Sequence, residues 1–399
     1  MKKTVLVFAT LFITGALAAC HAQVRVTKST GGKYGVDLSG VRGTESGPGT
    51  AFRRTLETDL QRSGWFSIAP AGAGSFVVQG PFGVPASFGC VVQNAASHET
   101  VMNKTFGGSG DPRRLAHEVS DAIVLAITGH RGIASSRVAL VGNATGSSEL
   151  YVCDADGQGL QQLTRDRSIS LFPSWAPDNA HLVYVSFKGR YPDTYLINLA
   201  NMQREVLVSY PGLNSGGAIS PNGRELAITL SKDGNPDLYI ISPVARGGSL
   251  TRLTSTQFAA ETSASWSPDG SQIVFVSDMS GRPQMYIMGR AGGDRKRVTS
   301  AGSENVAPDW GPGGLIAYSS RREGRYQLCL LDPATLQSTP VSQDAADYED
   351  ASWAPDGRHI AVTRTEAHVS AVYVLDIMGD APIPLLSLQG NWRSPAWSR

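Results

Sequence analysis

Short runs in which apolar and polar residues alternate fill most of this chain, and each predicts a strand. In one stretch "IVFVS" (273–277), "QMYIM" (284–288) and "KRVTS" (296–300) follow one another, separated by the turn segments "DMSGRP" and "GRAGGD". A further short strand ends at Trp266, just before "SPDG". In that phrase proline fixes φ, Asp tolerates a left-handed backbone and glycine accepts positive φ, so it reads as a tight turn. The helical period is found in two places. "TAFRRTLETDLQRSG" (50–64) carries Phe52, Leu56 and Leu60 at i, i+4 and i+8 and stops at Gly64. "DPRRLAHEVSDAIVLAITG" (111–129) has Asp111 as a cap, Pro112 in the first turn and Gly129 as terminator. With strands at "QVRVTKS", "WFSIA" and "SFVVQG", residues 23–132 read as a small α/β domain.

The four-strand pattern repeats. The heads "SWAPDN", "AISPNG", "SWSPDG", "DWGPGG" and "SWAPDG" place Pro177, Pro221, Pro268, Pro312 and Pro355 at intervals of 44, 47, 44 and 43 residues. Trp397 follows Trp353 by 44 residues, so the terminal "AWS" is a sixth head. Six tails match them: 160–164, 204–208, 250–254, 295–299, 338–342 and 382–386. The unit at 137–164 has two middle strands and a tail but no head, and the last head has nothing after it. The predicted fold is therefore an all-β six-bladed propeller over 133–399, with four antiparallel strands per blade. Its carboxyl-terminal strand completes the first blade and satisfies edges that would otherwise be exposed. The recurring Trp175, Trp266, Trp310, Trp353 and Trp397 mark one structural position, an apolar plug between blades.

Composition adds limits. The 399 residues are 41% hydrophobic and 17% charged, with 35 Lys+Arg against 34 Asp+Glu, so nothing suggests a nucleic-acid partner. Lys2 and Lys3, followed by the apolar run 4–18 and small residues, form an export signal over 1–22 that is too short for a membrane span. Two exits stand open: cleavage after Ala22, or acylation of Cys20 in the lipoprotein-like box Leu17-Ala18-Ala19-Cys20. Past the signal, the odd count of Cys90, Cys153 and Cys329 argues for small buried residues rather than a disulfide framework or a zinc site.

Motifs for chemistry are incomplete. The nucleophile elbow G-x-S-x-G is absent, since "GGSGD" (107–111) breaks at Asp111. His117 and Asp121 stand at i, i+4, but the second histidine of H-E-x-x-H is missing, and a helical surface pair is expected. "DADGQG" (154–159) resembles a calcium loop without its later carboxylate and is read as a strand-to-strand turn. Asp178, Asp269 and Asp356 are turn residues of their heads. No cofactor or metal motif is complete, and no recurring inward carboxylate or histidine is visible for the channel. The alternative reading, an exported hydrolase or carbohydrate-binding protein using the central channel, requires convergent titratable groups there.

The periodic "SWSPDG…YIM…GG…RVTS" resembles the repeat of the TolB family, which serves the Tol–Pal envelope system. "VRVTKSTGG" (24–32) is similar to that family's opening segment, although "KST" replaces "EIT". "DLQRSGWFSIAP" (59–70) is similar to its helix-to-strand passage, and 115–141 to the helix leading into its first blade. The resemblance covers the whole mature chain. It implies a periplasmic, monomeric, non-catalytic binding protein supporting outer-membrane integrity, cell division and protein import. It also implies that the peptidoglycan-associated lipoprotein Pal sits on one propeller face and TolA on the extreme N-terminal strand. The corresponding positions are Leu213, Asn214, Gly216, Glu261, Thr262, Glu304, Asn305, Tyr348 and Glu349 on the face. On the N-terminal strand they are Gln23, Val24, Arg25, Val26 and Thr27.

Overall fold

The computed structural model describes residues 32–399 except Ser109 and Gln343. The export signal, Cys20 and the segment Gln23–Thr27 lie outside the described residues.

Residues 34–128 form one layered unit. Its strands are β1 (Tyr34–Arg42), β2 (Phe66–Ala69), β3 (Phe76–Gly83), β4 (Ser87–Asn94) and β5 (Thr100–Gly107), and its helices are α1 (Gly47–Arg62) and α2 (Pro112–Thr128). The sheet order is β2-β1-β3-β4-β5, with β1 parallel to β2 and β3 and the remaining pairs antiparallel. The apolar stripe expected on the first helix is the core face: Phe52, Leu56 and Leu60 are buried against Val36, Leu38, Val78 and Phe88 of the sheet. Asp111 caps α2 by accepting the Arg113 N–H, and Gly129 closes it with φ 72°. Strand β1 and the β4–β5 hairpin were not foreseen; much of β5 is exposed, so its apolar alternation is broken.

Six four-stranded antiparallel sheets follow. The first strands of blades two to six are Ser170–Trp175, Asn214–Ile219, Glu261–Trp266, Asn305–Trp310 and Asp347–Trp353. Blade one combines Trp392–Trp397 with Arg137–Gly142, Glu149–Asp154 and Gln161–Gln162. The register of its closing pair is Trp397↔Val138, Ala396↔Ala139, Arg393↔Val141 and Trp392↔Gly142. The ring is thus sealed between strands whose paired residues are 250 to 259 positions apart in sequence.

Each tryptophan packs against the preceding blade. Trp266 joins Leu238 and Ile240, Trp310 joins Met285 and Ile287, Trp353 joins Leu328 and Leu330, and Trp397 joins Ala361 and Val372. Trp353 lies on Gly311, where any Cβ would come within 2.7 Å of the indole. The head aspartates close their turns: Asp178, Asp269 and Asp356 each accept a backbone N–H two residues on, at 2.8, 3.0 and 2.9 Å. Cys90, Cys153 and Cys329 are buried free thiols.

The N-terminal unit is seated on the turn ends of blades one and six. Arg358 forks onto Asp376 at 2.6 and 2.9 Å, donates to the Gly64 carbonyl at 3.0 Å and lies 4.4 Å over the Trp65 ring. This junction lies at the end of the strands opposite to the loops that lead into each first strand.

Candidate partner-binding face and central channel

A recurring backbone device builds the channel wall. In every first strand the register slips by one residue, a β-bulge, at the third residue before the tryptophan position. That residue is left-handed in all six blades: Phe172, Gly216, Ser263, Ala307, Asp350 and Ser394 have φ between 48° and 68°. For five side chains this costs strain of about 1–2 kcal/mol each, and it turns the six positions toward one cavity of about 420 Å³ along the ring axis.

Hydrogen bonds between blades stiffen the same wall. The side chain of the residue before the tryptophan accepts the backbone N–H of the tryptophan of the next blade: Ser265 from Trp310 at 3.0 Å, Asp309 from Trp353 at 2.7 Å and Ser352 from Trp397 at 2.9 Å. Asp309 places a carboxylate where neighbouring blades have a hydroxyl. Asp350 accepts from Ser394 Oγ at 2.8 Å. Among the described residues the carboxylates of Asp309 and Asp350 line the channel, each at a different strand position and in one blade only, so neither recurs around the ring. Burial raises the pKa of both above the usual carboxylate range. Both are already engaged by the wall itself.

Of the nine face positions singled out from sequence, four carry buried side chains. Asn214, Glu261, Asn305 and Tyr348 occupy one register position, five residues before the tryptophan position, and each is 0–2% exposed. They serve the loops from within. Asn214 donates to the Tyr210 and Pro192 carbonyls at 2.7 and 3.0 Å and accepts the Tyr210 N–H. Glu261 accepts from Thr256 and Ser277 at 2.8 and 3.1 Å, and burial raises its pKa. Asn305 donates to Gln284 at 2.8 Å and to the Ala301 carbonyl at 2.9 Å. The Tyr348 hydroxyl reaches Asp344 at 3.0 Å. The reading of these four as contact residues is corrected to one of loop anchors, because a side chain without solvent access offers no surface.

The other five are partly accessible. Thr262 and Gly216 line the channel and Leu213 stands at its mouth. Glu304 accepts from the Tyr326 hydroxyl at 2.6 Å and from Arg321 at 3.0 Å, and these bonds, Tyr326 first, hold its pKa below the usual range. Glu349 is half-buried, and burial, then Asp350 and Asp347, raise its pKa.

Sequence reading missed the apolar side chains of this face. Phe258 is 88% exposed and Tyr191 71%, and Ile169, Tyr210, Met279 and Leu388 are also exposed. All six stand in loops that enter a first strand or join the second to the third, so connectivity gathers them on the face remote from the N-terminal unit. Exposed large apolar groups collected on one face mark an interaction surface. A single Phe or Tyr in a polar loop carries no periodic signal, which is why pattern analysis passes over it.

Comparison with known proteins agrees with this architecture. The family described as the TolB beta propeller domain matches residues 124–399. A TolB homolog of Chlorobium luteolum is 30% identical over 304 residues, covering 75% of this chain and 68% of that protein. A Tol-Pal system protein TolB of Bordetella pertussis is 36% identical over 291 residues, covering 73% of this chain and 66% of that protein. The crystal structure of TolB from Acinetobacter baumannii superimposes with a TM-score of 0.82 at 27% identity, covering 92% of this chain and 97% of the other.

Proposed function

The chain belongs to the TolB propeller family, and on that premise we propose that it is a non-catalytic, periplasmic protein-binding scaffold of the Tol–Pal envelope system. The observation that carries this reading is the set of exposed apolar side chains Phe258, Tyr191, Tyr210, Ile169, Met279 and Leu388 in the loops of the propeller face remote from the N-terminal unit. A closed ring presents such loops rigidly, which lowers the ordering cost of binding. Large aromatic groups are the usual anchors of protein interfaces.

The partner on this face is the peptidoglycan-associated lipoprotein Pal, with Leu213, Gly216, Thr262, Glu304 and Glu349 as further contact positions, of which Thr262, Glu304 and Glu349 supply the polar groups. TolA engages the segment Gln23–Thr27. Residues 1–22 direct export and end either in cleavage after Ala22 or in lipid on Cys20. Residues 23–132 and 133–399 are the two working domains. Among the described residues no helix is long and apolar enough to cross a membrane. The channel carboxylates Asp309 and Asp350 are wall elements rather than catalysts, because each accepts a bond that ties one blade to the next.

The test is capture of purified partners. Phe258→Asp combined with Tyr191→Asp should weaken Pal binding by more than tenfold, as expected of truncated interface anchors worth about 2 kcal/mol or more. The thermal transition should stay unchanged, since both side chains are exposed. Deleting residues 23–32 should abolish TolA capture and leave Pal binding intact. Full Pal affinity in the double variant would refute the assignment of this face.

A further inference from the structure

Two motifs far apart in the sequence meet where the N-terminal unit joins blade one. His117 on α2 is buried, with its side chain 6% exposed, and its Nδ1 lies 2.7 Å from Asp59 Oδ2 on α1. At the other end of the ring, Nε2 has no hydrogen-bond partner. It faces the "DADG" turn of blade one, with Asp154 Oδ2 at 3.9 Å. One ligand atom each from His117, Asp154 and Asp156 lies within 4.8 Å of the other two. His117 therefore does not form the expected surface pair. Its helical neighbour Asp121 instead accepts the N–H groups of Ala134 and Ser135 at 2.8 and 2.9 Å.

An imidazole whose Nδ1–H is held by a carboxylate presents its Nε2 lone pair outward, the orientation by which histidines bind metals. One imidazole nitrogen and two carboxylate oxygens suit zinc or a related divalent transition metal. Ligand atoms around tetrahedral zinc stand roughly 3.4 Å apart, so the 3.9 Å separation of His117 and Asp154 needs only a small closure. The present occupant of the acidic end is Arg113, whose Nη2 is 2.9 Å from Asp156 and 3.4 Å from Asp154. Arg113 stands one helical turn before His117, its side chain is 33% exposed, and a cavity of about 680 Å³ opens beside it. The guanidinium has room to withdraw.

We propose that His117, Asp154 and Asp156 form a zinc-class metal site, with Asp59 orienting the imidazole and Arg113 substituting for the cation in the metal-free protein. Bound metal would join α2 to blade one directly and fasten the N-terminal unit to the ring.

The experiment uses the full chain, stripped with chelator and titrated with zinc chloride by calorimetry, with thermal unfolding in parallel. One zinc per chain should bind, and the melting temperature should rise with zinc concentration, because the ligand set exists only in the folded state. Asp154→Asn, at a half-exposed position, should weaken binding by at least about tenfold and suppress the thermal shift. Arg113→Gln removes the competing charge and should tighten binding by about tenfold. Any other pattern overturns the assignment: no uptake, uptake indifferent to Asp154→Asn, or uptake that Arg113→Gln fails to tighten.

Discussion

Replacing Trp397 by Ala tests the closure on which the architecture depends. The indole is 4% exposed and packs among Ile133, Val138, Tyr151, Ala361 and Val372, so it touches both its own blade and blade six. Its Nε1 donates to Ser136 Oγ at 2.7 Å. A side chain of this size buries about 150–250 Å², which at about 25 cal/mol per Å² amounts to roughly 4–6 kcal/mol. Core Trp→Ala substitutions cost about 3–5 kcal/mol, and the lost hydrogen bond about 1 kcal/mol. The terms overlap, so the expected loss is about 4–5 kcal/mol, a large part of the roughly 5–15 kcal/mol that stabilises a typical domain. The assay is equilibrium urea unfolding followed by circular dichroism, with Trp353→Ala as the internal reference. Trp353 is 6% exposed and fills the same position one blade earlier. In a sealed ring the two variants lose stability to within about 1 kcal/mol of each other, with the denaturant slope unchanged. If Trp397→Ala cost under about 1 kcal/mol while Trp353→Ala cost its full share, the terminal strand would be a loose flap and the closed toroid would be refuted.

Asp309→Asn should raise thermal stability at pH 7 to 8. Burial raises the folded-state pKa of Asp309 above its ordinary value, so its stabilising contribution is complete below the unfolded pKa of about 3.9 and is lost as pH rises through the folded value. The gap between variant and parent should therefore close as pH falls to about 4, read from melting curves across pH; a gap constant with pH would contradict the burial argument. Arg358→Ala should cost about 3–5 kcal/mol in urea unfolding, because Asp376, with its side chain 4% exposed, is left buried without its cation. The same change should speed proteolysis of the N-terminal unit, and Arg358→Lys should rescue little, since lysine cannot form the two-pronged contact.

The sequence by itself determined the number of blades, the four strands in each and the partner of the last strand. The reason is that every blade must offer the same plug to the same kind of neighbour, so the requirement is written repeatedly at a spacing of 43–47 residues. Both helices were legible as well, from the apolar stripe of Phe52, Leu56 and Leu60 and from the Asp111 and Gly129 signals. The β4–β5 hairpin was not, because a half-exposed strand such as β5 has no strict alternation to betray it. Tertiary structure alone decided the fate of the individual polar residues. Asn214, Glu261 and Asn305 are expected on the partner-binding face, yet their register position sends them inward. Asp309 reads as one more head residue, yet the inter-blade bond aims it at the channel. His117 and the Asp154–Asp156 turn look incomplete along the chain, yet the packing of α2 on blade one brings them within 4.8 Å. Periodicity records only the neighbours a residue meets through its own helix or strand, whereas these contacts join elements separated by tens to hundreds of residues and come into existence only when the ring has closed.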